Sequence, residues 1–212
     1  MRPLRKTVNE KSLKLIGIPK TFITTTLNDF DDRGDEDLIT VKTFVENYIE
    51  KIDTMFQINS GIFLNGSNGV GKTMLSCIIA KEAYRHRYST RRCTFVDYID
   101  KYTRVWSAKN SEEKETLEDS LYTYYKSVEF LILDEVGKEI DSKVSAPILE
   151  DLLRYREDNG YVTILCTNLT SEVLLERYGN SCMSLLKGNC VPVTIDSEDL
   201  RNKKFNRRKS KK

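Results

Sequence analysis

The sequence predicts an α/β protein of three layers, a central parallel β-sheet flanked by helices. Three observations carry this. Short apolar runs bounded by turn residues alternate with segments of three- and four-residue apolar spacing. The run Phe130-Leu131-Ile132-Leu133 is uninterrupted, as in a central parallel strand covered on both faces. A glycine-containing loop, Gly66 to Gly71, stands between the first strand and the helix that follows it. At 212 residues the chain is long enough for one such domain and short for two.

The elements follow in order. The first 28 residues are basic, contain Pro3 and Pro19, and read as an arm or adaptor segment. The acidic stretch Asn28 to Asp37 reads as loop. Val41, Phe44, Val45, Tyr48, Ile49 and Ile52 recur at helical spacing, with one face to bury. Gly61 to Asn65 is the first strand, and Lys72 to His86 the helix after it. Arg92 to Asp97 is the second strand, at the interval of a βαβ unit. Phe130 to Leu133 is the third. A helix through Ile148, Leu149, Leu152, Leu153 and Tyr155 stops at Asn159-Gly160. Tyr161 to Thr167 and Val191 to Ile195 are the fourth and fifth strands. The expected boundaries are a basic amino-terminal segment with an acidic loop (1–40), the α/β domain (41–200) and a basic tail (201–212).

Thirty-four basic and 32 acidic side chains leave a net charge of +2. By position the charge is +5 over residues 1–28, −11 over 29–200 and +8 over 201–212. No apolar run approaches the ~20 residues that cross a bilayer, and the amino terminus has no apolar core of a secretory signal. A cytoplasmic protein is expected, with no membrane partner. Five widely spaced cysteines without a CxxC pair, and His86 as the one histidine, argue against a zinc cage or a disulfide framework and read as buried reduced thiols.

The chemistry concentrates in three places. Gly66-Ser67-Asn68-Gly69-Val70-Gly71-Lys72-Thr73 is a complete GxxxxGK[ST] phosphate loop, with Met74 continuing into the helix. Glycines let loop N–H groups turn inward on phosphate oxygens, and the helix aims its positive end at the same charge. Lys72 reaches the β- and γ-phosphates, and Thr73 offers a hydroxyl to Mg²⁺. Second, the third strand ends in Asp134-Glu135, where open α/β sheets bind ligands. Asp134 then serves the Mg²⁺ coordination sphere and Glu135 polarises the attacking water. A kinase or simple nucleotide switch has no need of Glu135, so the pair favours hydrolysis. Third, Asn168 at the end of the fourth strand contacts the γ-phosphate or the water if that strand neighbours the phosphate-loop strand. Otherwise it belongs to the start of the next helix. ATP and Mg²⁺ are the expected cofactors.

Taken with Asp134-Glu135-Val136-Gly137, Cys166-Thr167-Asn168-Leu169, Glu176-Arg177-Tyr178-Gly179 and Leu15-Ile16-Gly17-Ile18-Pro19, the loop resembles the AAA+ module of DnaC/DnaI-type replicative helicase loaders and their IstB relatives. The resemblance spans residues 15 to 201. It implies an AAA+/ASCE P-loop NTPase that self-associates with ATP, engages a replicative DNA helicase and helps place it on single-stranded DNA. An IstB-like transposition ATPase and a non-hydrolysing, nucleotide-gated adaptor are the alternatives. Two departures stand out. Leu185 occupies the place where relatives carry a trans-acting arginine, leaving Lys187 or Arg177 as substitutes. The cysteines of a zinc-bearing helicase-binding domain are also missing. In Ser197-Glu198-Asp199-Leu200-Arg201 the resemblance makes Arg201 a γ-phosphate sensor; by position alone it is the first residue of the tail.

Single-strand binders pair cations with aromatic platforms. Between Tyr98 and Lys126 most aromatics read as packing residues. Arg104, Trp106 and Lys109, nearest the polar loop after residue 106, are the DNA candidates. The tail, with one aromatic and no acid, is a further phosphate-seeking segment.

Overall fold

A computed structural model describes residues 6–140, 142–197 and 200. Five strands form one parallel sheet: β1 (Gly61–Gly66), β2 (Thr90–Thr94), β3 (Phe130–Val136), β4 (Val162–Thr167) and β5 (Cys190–Ile195). Their spatial order is β2-β3-β4-β1-β5. The inner strands are covered on both faces: β4 is buried along its whole length, as are the first five residues of β3, whereas edge strand β2 is only partly buried and edge strand β5 exposes Val191.

Alternation along the strands sorts the core in two. Phe130, Ile132, Ile62, Leu64, Ile164 and Cys166 face one helical layer, and Leu131, Leu133, Phe63 and Leu165 face the other. The first layer holds α1 (Glu10–Leu15), α2 (Glu36–Glu50), α3 (Ile52–Gln57) and α4 (Lys72–Arg85). The second holds α5 (Phe95–Trp106), α6 (Ser111–Leu121), α7 (Ser142–Asp158) and α8 (Ser171–Asn189), the last interrupted at Gly179. Helix α4, leaving β1, and α8, leaving β4, therefore lie on opposite faces. The carboxyl ends of these neighbouring strands are the place where such sheets bind ligands.

Several expected boundaries move. Phe95 to Asp97 are not strand: Thr94 accepts a hydrogen bond from the Asp97 amide at 3.1 Å and starts α5. The acidic stretch ends earlier than Asp37, because Asp35 caps α2 by accepting from the Asp37 and Leu38 amides. Glu36 and Asp37 then sit in a first turn that favours negative charge. Helices α5 and α6, and a π-helical turn at Tyr122–Lys126, fill a stretch for which periodicity had suggested no element. Of its aromatics, Tyr98 and Tyr125 are buried and Tyr122 and Tyr124 exposed.

The described part of the amino-terminal segment packs on the sheet. Leu13, Ile16, Ile18, Phe30 and Leu38 are buried in the first core. Lys81, almost wholly buried on α4, donates from Nζ to the carbonyls of Phe22 and Thr25, pinning the chain before α2. All five cysteines are buried free thiols, and burial pushes the thiol pKa of Cys77, Cys93 and Cys190 up to about 12. His86 meets Asp53 at 3.3 Å rather than a cysteine. No helix among the described residues is long and apolar enough to cross a membrane.

Candidate nucleotide-binding site

The loop between β1 and α4 takes the backbone that its glycines permit. Gly66, Gly69 and Gly71 all have positive φ. At Gly71 (φ 99°) a Cβ would stand 2.7 Å from the ring of the buried Phe30, so both the dihedral and the space demand glycine. Gly71, the N-cap of α4, makes no side-chain cap hydrogen bond. The Lys72 ammonium lies against the loop, 2.7 Å from the carbonyls of both Gly66 and Ser67. Thr73 and Met74 are half-buried, and Val70 is buried beneath the loop. Inward-turned amides, a lysine and a helix start are a donor set that fits a polyphosphate.

Two segments distant in sequence close on this loop. Phe30 packs against Gly71 from the amino-terminal side. After β5, Ser197 accepts from Ser67 Oγ at 3.1 Å, and the Leu200 amide donates to Gly69 O at 3.2 Å. Arg201, Glu198 and Asp199 lie outside the described residues, as does the tail.

β3 delivers the carboxylates through an irregularity. Leu133 pairs with Leu165 but Val136 with Thr167, so one extra residue is inserted beside Asp134 and Glu135. Without that bulge Val136 would share the face of Asp134; it packs instead with Leu133 in the second core. Glu135, within the bulge, has a positive φ of 60° and is turned out, half-exposed, to an ion pair with Lys138. Asp134 points into the first layer, 2% exposed. Its Oδ1 accepts from the Glu135 amide at 2.9 Å, and its Oδ2 from Arg92 Nη2 at 2.6 Å.

β4 lies between β3 and β1, the arrangement the Asn168 expectation needed. Its end is clamped from both sides. Thr167 Oγ1 donates to Val136 O at 2.7 Å and accepts from the Leu169 amide at 3.1 Å. Asn65 Nδ2, from β1, donates to Leu169 O at 2.9 Å. Asn168 is thereby held, exposed, between the carboxylate strand and the phosphate-loop strand. The buried Cys166 thiol sits among Asp134, Ser76 and Lys72, and burial raises its pKa well above that of a free thiol. Loop, carboxylates and Asn168 thus share one end of three adjacent strands. Arg92 and Asn65 were not singled out from sequence, because their partners lie 42 and 104 residues away, and Thr167 was read as part of the Asn168 motif without the bond to Val136, 31 residues away.

The other candidates lie elsewhere. Arg177 is turned inward, bonded to Glu139 O and 3.1 Å from the Glu139 carboxylate, to which Tyr178 also donates. Leu185 is buried in the second core, while Lys187 is exposed. Trp106 is 64% exposed at the end of α5, its ring 5.5 Å edge-on to Tyr102. Arg104 pairs with Asp100 at 2.9 Å, and the Lys109 amide donates to Glu113. The neighbouring α6 carries five carboxylates and one lysine.

The family model described as IstB-like ATP binding protein matches residues 11–206. Replicative helicase loader DnaI of Bacillus subtilis (strain 168) is 29% identical over 155 residues, 67% of this chain and 48% of that protein. Replicative helicase loader DnaC of Escherichia coli (strain K12) is 25% identical over 157 residues, 74% of this chain and 61% of that protein. The chain thus spans about half to three-fifths of the length of these curated relatives. The crystal structure of the DnaC helicase loader superposes with a TM-score of 0.70 at 19% identity, over 84% of this chain and 99% of that one. Replication initiator DnaA bound to AMPPCP and single-stranded DNA gives 0.68 at 19% identity, over 92% and 56%. These two share the AAA+ P-loop fold with it. The chain belongs to the IstB-like ATP binding protein family.

Proposed function

We propose that this protein is an ATP-dependent helicase loader, which engages a replicative DNA helicase and helps place it on single-stranded DNA. One observation carries the reading: phosphate loop, carboxylate pair and Asn168 occupy one end of three adjacent strands, in a chain whose named relatives are replicative helicase loaders. Lys72 and the loop amides hold the nucleotide phosphates. Thr73 and Asp134 hold Mg²⁺, which neutralises phosphate charge when bound. Glu135 orients the attacking water, and Asn168 contacts the γ-phosphate or that water. ATP-bound copies associate, and a trans-acting cation comes from Lys187, since Leu185 is buried and Arg177 is committed to Glu139.

Lys72→Ala is expected to abolish ATP binding measured by fluorescence titration. Glu135→Gln is expected to keep binding and lose turnover, and unchanged turnover would remove Glu135 from the mechanism. Co-purification separates the loader from its relatives in function: a replicative helicase retained with ATP supports it, whereas a transposase retained instead favours a transposition ATPase. Buried Leu185 favours a second reading, a nucleotide-gated adaptor that binds ATP without hydrolysing it. Absence of turnover with helicase and DNA present, alongside normal ATP binding, identifies that adaptor.

A further inference from the structure

β2 is an edge strand, and its middle carries a charge into the sheet. Arg92 is in register with Ile132 and lies on the face of β3 that Asp134 occupies. Its side chain is 12% exposed and that of Asp134 3%. Burying an ion pair is a poor way to gain stability, so its position is the informative fact. The pair engages Oδ2 of the one carboxylate assigned to the metal.

A strap of main chain walls Arg92 in. The Arg92 amide donates to Ile16 O at 2.7 Å, and Arg91 Nη1 to Leu15 O at 2.6 Å. Ile16 and Ile18 anchor the strap in the first core. Gly17, at φ 91°, passes so close that a Cβ would stand 2.0 Å from Arg92 O. Nη1 reaches Gly17 O at 3.5 Å, and Asp134 is the one carboxylate the guanidinium meets among the described residues. It therefore shares the Asp134 site instead of swinging into water.

We propose that Arg92 is a positioning residue that competes with the divalent cation of bound ATP for the Asp134 carboxylate, so that the strap-held guanidinium sets how strongly Mg²⁺ favours nucleotide binding. This rests on the ATP-site reading above. A guanidinium bonded to Oδ2 occupies an oxygen and offsets a charge that the cation would otherwise use, and by linkage the cation loosens the guanidinium's hold on Asp134. The coupling is specific to metal: nucleotide binding without Mg²⁺ does not draw on Oδ2.

The test is the ratio of dissociation constants for a fluorescent ATP analogue in EDTA and in Mg²⁺. Arg92→Gln keeps an N–H donor for Asp134, and melting in the absence of nucleotide verifies that it folds. Its ratio is expected to rise about three- to tenfold over wild type. A ratio equal to or below wild type in folded protein overturns the inference. Asp134→Asn removes the contested carboxylate, so Asp134→Asn and Asp134→Asn/Arg92→Gln are expected to share one ratio. If Arg92→Gln still shifts the ratio in that background, Arg92 acts elsewhere and the inference falls. This neutral pair also carries the test if Arg92→Gln alone does not fold. Wild-type protein that binds no nucleotide in either buffer overturns the ATP-site reading itself, and this inference with it.

Discussion

Thr167 shows how single side chains decide the geometry of the site. Its hydroxyl donates to a backbone carbonyl of β3 and accepts from the amide after Asn168, so one oxygen ties the carboxylate strand to the Asn168 turn. Thr167→Val keeps the shape and removes the partner of a buried carbonyl and of a part-buried amide, which costs about 1–3 kcal/mol. Chemical denaturation is expected to show that loss. Turnover is expected to fall further than ATP binding, since the phosphate loop is untouched. The residue types of the phosphate loop were legible from the chain because each acts within a few positions of the next. Thr167 was visible only as a member of the Asn168 motif, and its clamping role was not, since that lies in Val136, 31 residues away.

Among the elements, α7 and the π-helical turn at Tyr122–Lys126 are joined by a residue that periodicity treats as polar surface. Arg156 is fully buried near the end of α7. It donates to the carbonyls of Tyr125, Lys126, Val128 and Val162 and to Thr163 Oγ1, with no carboxylate among these partners. Burial works against its charge, and these five acceptors replace the water that surrounds an exposed guanidinium. Arg156→Met would strand them without a donor. We expect a loss of about 3–5 kcal/mol in unfolding free energy, measured in denaturant. Element existence was legible wherever apolar spacing was strong, as for α2, α4 and the strands. The ends of β2 and α2 were displaced because capping by Thr94 and Asp35, each through one side chain, outweighs the propensity of the residues that follow.

For the whole molecule, the charge division is the main sequence-level guide to association. The −11 of residues 29–200 opposes nucleic acid, and α6, the next helix after exposed Trp106, carries five of those carboxylates. On the proposed function, affinity for single strands is then expected to come from the basic ends. Deleting residues 201–212 is expected to weaken single-stranded DNA binding and to flatten its salt dependence, by roughly 0.7 in log–log slope for each phosphate that the tail neutralises. Fluorescence anisotropy across a salt series measures this. An unchanged slope would place DNA binding on the AAA+ domain, with Arg104, Trp106 and Lys109 the first positions to substitute.

The sequence by itself determined the α/β class, the phosphate loop, the carboxylate pair and Asn168, because glycine placement, apolar period and motif spacing act over short stretches of chain. Tertiary structure alone decided the strand order that sets β4 beside β1, the bulge that turns Glu135 out while Asp134 stays in, and the Arg92–Asp134 pair under the Gly17 strap. Each of these is a relation between segments far apart along the chain. No local propensity encodes it, since its energy comes from burial and pairing that exist only once the sheet has closed.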